Sequence, residues 1–259
     1  MKVLFLGDIV GERATEHAAE RVPKLRAEYG IDIAIANAEN CAPNGLGMAT
    51  KQVEQLLAAG VDVITGGNHS WDSDESVDLL ALEQVIRPSN LSEPVAGRGV
   101  IHVDVPAGTV TVINLADYCA MKSVKAVAGR FVPAYESWLR AEKRGVVIVD
   151  YHGDHVLEKQ IFAHAVDGAA AAVIGTHTHE PTAPLHILPG GTAFVTEVGM
   201  VGPVGGVQGF DPGPLVAGLQ TTGNPFSGSM PGTLDGPVNM GAVMFQLDGG
   251  RTVRLERVS

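Results

Sequence analysis

Three short apolar runs near the N-terminus alternate with segments of helical spacing, and each run ends in an acid, an amide or a histidine. Val3-Leu4-Phe5-Leu6 leads into Gly7-Asp8, Ile31 to Ala36 into Glu39-Asn40, and Val61 to Thr65 into Gly66-Gly67-Asn68-His69. Between them, residues 15–29 carry Ala, Leu and Val at helical spacing, with Thr15 placed as a cap. Residues 50–59 read as a helix begun by Thr50 and stopped by Gly60, and a further helix follows at 72–83. This alternation specifies an α/β fold with a mostly parallel sheet and helices on its faces.

The pattern changes in the middle. Gly99–Val105 and Thr109–Leu115 flank Pro106-Ala107-Gly108 and read as an antiparallel hairpin. Residues 117–140 are less regular and carry Met121, Phe131, Tyr135 and Trp138. Val146–Val149 is a strand running into Asp150-Tyr151-His152, and a helix at 157–168 leads to a strand at Ala170–Ile174 and then Gly175-Thr176-His177-Thr178-His179. Thr192–Val198 is another strand, and residues 199–236, rich in Gly and Pro, read as a long loop. Val238–Leu247 and Arg251–Val258 close the chain as a hairpin around Asp248-Gly249-Gly250. No repeat or linker divides residues 1–259, so the chain reads as a single domain.

Composition narrows the function. Hydrophobic residues make up 45% of the 259 residues, which excludes a disordered chain. Eighteen basic against 29 acidic residues give a formal net charge of −11, which argues against a broad nucleic-acid surface but not against a small nucleotide at a local site. No apolar run reaches the ~18–20 residues of a membrane helix. Met1-Lys2 leads directly into a strand rather than a signal peptide, and Cys41 and Cys119 form no disulfide framework; the expectation is a cytoplasmic protein.

The strand ends carry the chemistry. In an α/β sheet the carboxyl ends of the strands converge on one crevice. Asp8 and Glu39 offer carboxylates, Asn68 an amide oxygen, and His152, His177 and His179 imidazole nitrogens. That set exceeds the four ligands of one structural zinc. It suits two metals about 3.5–4 Å apart, and mixed N and O donors favour transition metals over Ca or Mg. Such a pair acidifies a water and holds phosphoryl oxygens for in-line attack, so phosphoester hydrolysis is the expected reaction.

Several blocks resemble the calcineurin-like metallophosphoesterases, and within them the YmdB-like bacterial phosphodiesterases. They are Leu6-Gly7-Asp8-Ile9-Val10-Gly11, Ala36-Asn37-Ala38-Glu39-Asn40, Gly67-Asn68-His69-Ser70-Trp71-Asp72, Arg87-Pro88-Ser89-Asn90, Asp150-Tyr151-His152, Gly175-Thr176-His177-Thr178-His179 and Gly190-Gly191-Thr192-Ala193-Phe194. They cover nearly the whole chain in order. The resemblance implies a four-layer α/β/β/α sandwich with a di-metal centre, Fe or Mn above all, with Zn as a further option. One metal would take Asp8, Glu39 and His179, and the other Glu39, Asn68, His152 and His177, with Glu39 bridging. Asn40 lies beside the bridge, to touch a metal or hydrogen-bond the water. His69 would bind no metal and would face the phosphate, to stabilise the transition state or protonate the leaving oxygen. The implied reaction is hydrolysis of small phosphodiesters, 2′,3′-cyclic nucleotides and also 3′,5′-cyclic nucleotides. The implied assembly is a homo-oligomer. The alternatives are a phosphomonoesterase or nucleotidase on the same centre, or a regulatory metal- or nucleotide-binding protein of weak activity.

The departures from the family fall where substrate would sit. Asn114-Leu115 is followed by Ala116-Asp117-Tyr118-Cys119-Ala120-Met121 in place of the usual Gly-Arg-Val-Phe-Met, which removes an Arg and adds the charge of Asp117. Residues 117–140 are therefore the expected substrate cover, with Asp117 facing the nucleotide and Tyr118, Phe131 and Trp138 as an aromatic wall or as core. Asn114 is a candidate to hold a catalytic histidine from behind. In Tyr151-His152-Gly153-Asp154-His155-Val156-Leu157-Glu158-Lys159 the family's Glu-Lys pair is kept while its Ala-Thr-Ser is replaced. His155 is placed behind the site or on the surface.

Overall fold

The computed structural model describes residues 1–259 apart from Glu93. The first half runs β1 (Lys2–Leu6), β2 (Asp8–Ile9), α1 (Gly11–Tyr29), β3 (Ile33–Asn37), α2 (Thr50–Ala58), β4 (Val63–Thr65), a 3₁₀ turn (Asn68–Trp71), α3 (Asp74–Leu79) and β5 (Val85–Ile86). The second half begins with the hairpin β6 (Val100–Val105) and β7 (Gly108–Ala116). It continues with α4 (Tyr118–Met121), a 3₁₀ turn (Lys125–Val127), α5 (Ala134–Arg140), β8 (Val146–His152), α6 (Val156–Ala165) and β9 (Ala172–Thr176). Then come β10 (His186–Ile187), β11 (Ala193–Val195), β12 (Met200–Pro203), α7 (Pro212–Thr222), β13 (Val238–Met240), β14 (Ala242–Asp248) and β15 (Arg251–Arg257).

Two six-stranded sheets result, ordered β15-β14-β1-β3-β4-β5 and β10-β11-β9-β8-β7-β6, with a small sheet β13-β12-β2 beside the first. The central strands of both are parallel. Alternation along β1 explains the layering, because successive side chains point to opposite faces. Leu4 and Leu6 pack with Ala18, Val22, Leu25, Val53 and Leu56 of α1 and α2. Val3 and Phe5 instead meet Val110, Val112, Ile148 and Ile174 of the second sheet. The far face of that sheet, through Val149, Tyr151 and Val173, packs on Trp138 of α5 and Phe162 of α6. This is the four-layer α/β/β/α sandwich that the resemblance implied.

Several boundaries differ from the sequence reading. Helix α1 starts at Gly11, and the Thr15 hydroxyl donates to the Gly11 carbonyl at 3.0 Å inside the first turn instead of capping. Thr50 is the first residue of α2, with Ala49 at the cap position and no side-chain cap. Of the helix expected at 72–83 only the shorter α3 forms, capped by Ser73 and preceded by the 3₁₀ turn at Asn68–Trp71. Residues 199–236 are not all loop: β12 pairs with β2, and α7 opens with Asp211 as cap and Pro212 in the first turn and closes at Gly223. That start and stop chemistry is legible in sequence. The expected strand Val238–Leu247 is broken at Gly241, whose backbone lies so close to Met200 that a Cβ would sit 2.7 Å from Met200 N. Both hairpins form as expected. Among the described residues, no helix is long and apolar enough to cross a membrane.

Candidate metal centre

The carboxyl ends of β1, β3 and β4 in one sheet and β8 and β9 in the other deliver the predicted donors to a common edge. Asp8 is fully buried; one carboxylate oxygen accepts the His177 backbone N–H at 3.0 Å, while Oδ1 faces His179 Nε2 at 3.7 Å and His152 Nδ1 at 3.9 Å. Glu39 accepts the His69 backbone N–H at 2.9 Å through Oε2. His152 Nε2 lies 3.0 Å from Glu39 Oε1 and 2.9 Å from the Asn68 side-chain oxygen. Ligand atoms of Glu39, His152 and His177 all lie within 4.8 Å of one another. Gly67 makes room for this arrangement, since a Cβ there would stand 2.2 Å from His152 Nε2.

The donor set fits cations. Asp8 Oδ1 and Asn40 Oδ1 are buried and have no hydrogen-bond partner among the described residues, and the buried Glu39 Oε1 meets the His152 ring nitrogen at 3.0 Å. Buried oxygen acceptors stripped of water and left unpaired are costly. Cations held by Asp8, Glu39 and Asn40 would satisfy these oxygens, and the neighbouring imidazole nitrogens suit the same ions. Asn40 is held for this by its amide nitrogen, which donates to Gly45 O at 2.7 Å and leaves its oxygen free.

The histidines are oriented from behind. His179 Nδ1 donates to the Gln208 carbonyl at 2.9 Å, so its Nε2 lone pair faces Asp8. His152 Nδ1 stands 3.0 Å from the Thr176 hydroxyl, which itself donates to Asp150 Oδ1 at 2.7 Å. That chain leaves His152 Nε2 as the free nitrogen toward Glu39 and Asn68. Burial lifts the Asp150 carboxyl to about 7, with the Thr176 and Thr65 hydroxyls and His152 opposing it. Burial also raises Asp8. Burial alone would raise Glu39 and lower His152; the attraction between them prevails, taking Glu39 to about 2 and His152 to about 9. Burial and the His152 charge drive His177 down to about 2. A neutral His177 is ready to ligate.

His69 stands apart from the donors. Its backbone is tied to Glu39, and its Nδ1 is 2.5 Å from Asp72 Oδ2. Burial opposes charge on its ring, but the Asp72 hydrogen bond and the Glu39 and Asp72 charges outweigh it, so its pKa is raised. Beside it, Asn68, Trp71 and Asp72 share a cavity of about 350 Å³ with Ser123, Val124, Lys125 and Ala126.

The remaining candidates sit elsewhere. Asp117 does not face a nucleotide: it is buried, caps α4 by accepting Ala120 N–H at 2.7 Å, and accepts His155 N–H at 2.6 Å. Its own N–H donates to the His152 carbonyl, so the residue ties β7 to the start of α6. His155 is exposed and caps α6. Asn114 is buried beside Asp150 in the strand register, and its side chain hydrogen-bonds no histidine. Tyr118 packs edge-on to Phe131, and both line an apolar groove with Tyr135, Tyr151 and Ile161; Trp138 packs on Phe162 in the core. Of residues 117–140, only 123–126 border the cavity beside His69. Sequence reasoning gave no role to Asp72, Thr176, Asp150 or Gln208. The three-residue spacing from His69 to Asp72 was a usable signal; the others meet their histidines only through tertiary contacts.

Comparisons with known proteins give the family and the fold. The family model described as YmdB-like protein matches residues 4–258. The 2′,3′-cyclic-nucleotide 2′-phosphodiesterase of Bacillus subtilis is 37% identical over 223 residues, covering 85% of this chain and 83% of that protein. The crystal structure of a hypothetical protein from Thermus thermophilus superposes with TM-score 0.87 at 31% identity, covering 98% of this chain and 97% of the other. That of a novel phosphatase from Mycoplasma pneumoniae gives 0.85 at 30% identity, covering 99% and 92%. With matched residues running from one end of the sandwich to the other, this chain belongs to the YmdB-like protein family.

Proposed function

We propose that the chain is a metal-dependent phosphodiesterase that hydrolyses small nucleotide diesters, 2′,3′-cyclic nucleotides first among them. The observation that carries this reading is the cluster of Glu39, His152 and His177, with Asp8, His179 and Asn68 against it and a carboxylate-paired histidine beside it. Asp8, Glu39 and His179 would hold one cation and Glu39, Asn68, His152 and His177 the other, with Asn40 against the pair; Fe or Mn suits the mixed donors. When bound, two such cations supply a nucleophile from water and clamp the phosphoryl oxygens.

The chain's own residues do the rest. Asp72 holds His69 Nδ1, which leaves Nε2 to give its proton to the departing ribose oxygen. The leaving group therefore belongs in the cavity beside His69, which Ser123–Ala126 also line and to which Lys125 adds a positive charge. This narrows the substrate cover to a short part of 117–140. The likeness to a named phosphatase supports a second reading, a monoesterase on the same centre.

Metal-loaded protein assayed with 2′,3′-cyclic AMP, bis-p-nitrophenyl phosphate and the 2′- and 3′-monophosphates separates the two. The proposal expects turnover of the diesters with accumulation of a monoester. Preferential turnover of the monoesters, or none by fully metallated protein, would overturn it.

A further inference from the structure

Among the described residues, three non-glycine residues adopt left-handed backbone angles: His177 at φ 102°, His179 at φ 65° and Gln208 at φ 53°. Two are candidate ligands, and the third supplies the carbonyl that orients His179. Strain gathered in one cluster persists only where the surroundings over-determine it. Here they do so through Thr178, the residue between the two histidines. Its N–H and hydroxyl both donate to Glu197 Oε2, at 3.0 and 2.9 Å. Glu197 is buried just past β11, and its other oxygen accepts Gly199 N–H at 3.2 Å. Lys159, fully buried on α6, reaches beneath the loop, donates to the Thr176 carbonyl at 2.8 Å and lies 3.2 Å from Glu197 Oε2. Gly175 lets β9 approach the strand end that carries Glu197, since a Cβ there would stand 1.8 Å from Thr196 O.

We propose that the buried Lys159–Glu197 ion pair is a positioning brace for the metal centre, gripping His177-Thr178-His179 in the one backbone conformation that turns both imidazoles into the same site. Neither residue touches a candidate substrate position. Glu197 supplies the acceptor that the loop needs, and Lys159 joins that carboxylate to the Thr176 carbonyl, tying down the strand end before the loop. Each charge is tolerable there because the other is present. The inference rests on the metal-dependent reading of the site.

The test is Mn²⁺ binding followed by the free-ion EPR signal, together with the visible spectrum of Co²⁺-loaded protein. The variants are Lys159→Met/Glu197→Met, which removes both charges at similar volume, and Thr178→Val, which deletes one hydrogen bond to Glu197. The double variant should bind Mn²⁺ about 10–100-fold more weakly, as for lost outer partners of metal ligands, and show an altered Co²⁺ spectrum. Thr178→Val, a loop change that leaves the buried pair intact, should weaken binding roughly 3–10-fold. Wild-type affinity and spectrum in a folded double variant would overturn the brace. If the double variant does not fold, an unchanged Mn²⁺ affinity in Thr178→Val does the same. Wild-type protein that binds no Mn²⁺ or Co²⁺ would instead overturn the metal reading, and the brace with it.

Discussion

His69 Nδ1 and Asp72 Oδ2 stand 2.5 Å apart at the end of a 3₁₀ turn, so one short segment carries both the proposed proton donor and a carboxylate that raises its pKa. His69→Asn should leave metal content unchanged and lower kcat for cyclic nucleotides about 10²–10⁴-fold, the usual worth of general acid help. The loss should be much smaller for p-nitrophenolate, which departs without a proton. Equal losses on both substrates would assign His69 to charge stabilisation instead.

Asp72→Asn tests the same pair by pH. A general acid must be protonated, and the Asp72 bond raises the His69 pKa, so activity should fall on the alkaline side as His69 loses its proton. Removing the carboxylate should move that alkaline limb of kcat/KM to lower pH. A limb that stays in place would mean that another group sets it.

Glu39 lies against His152 and His177 and is the proposed bridge between the two metal positions. Glu39→Ala should reduce occupancy at both positions, measured by elemental analysis of protein purified without chelator. His177→Asn should lower metal content and damage fast and slow leaving groups alike. Two full equivalents of metal in Glu39→Ala would exclude it as the bridge.

In the metal-free protein, the neighbouring carboxylates raise His152 from 6.5 to about 9. A raised histidine contributes stability that is fully present below pH 6.5 and is lost as pH rises through about 9. Urea unfolding of metal-free protein should therefore show falling stability from about pH 6.5 to about 9.5. Metal takes the same imidazole lone pair, so loading should flatten or reverse that dependence. The same slope with and without metal would remove His152 from the ligand set.

Asp117 caps α4 and holds the start of α6, and a Cβ on Gly153 would stand only 2.3 Å from its carboxylate. Asp117→Ala should cost about 1–2 kcal/mol in denaturant unfolding, the range of a lost helix cap. The ratio of kcat/KM between cyclic nucleotides and an aryl diester should stay constant. Asp117→Arg has no room for its side chain and should destabilise further rather than improve nucleotide turnover.

Alternating apolar runs and helical spacing were enough to define β1, β3, β4, β8 and β9, and the polar residue after each run marked the shared edge. That much is local: period-2 and period-3.6 patterns decide which face is buried, and parallel strands put their carboxyl ends on one side. Asp8, Glu39, Asn68, His152, His177 and His179 were therefore legible from the chain alone. What the pattern could not carry was which polar side chains point inward at the turns beyond the strands. Asp117 and His155 look like site residues by position, yet their side chains cap α4 and α6. Asn114 lies one strand from Asp150 and bonds no histidine. Lys159, Glu197, Asp150 and Gln208 lie far from their partners in the chain and carry no periodic signal. Their roles come from hydrogen bonds that exist only once two sheets and a helix have packed, because burial decides which charges must find each other.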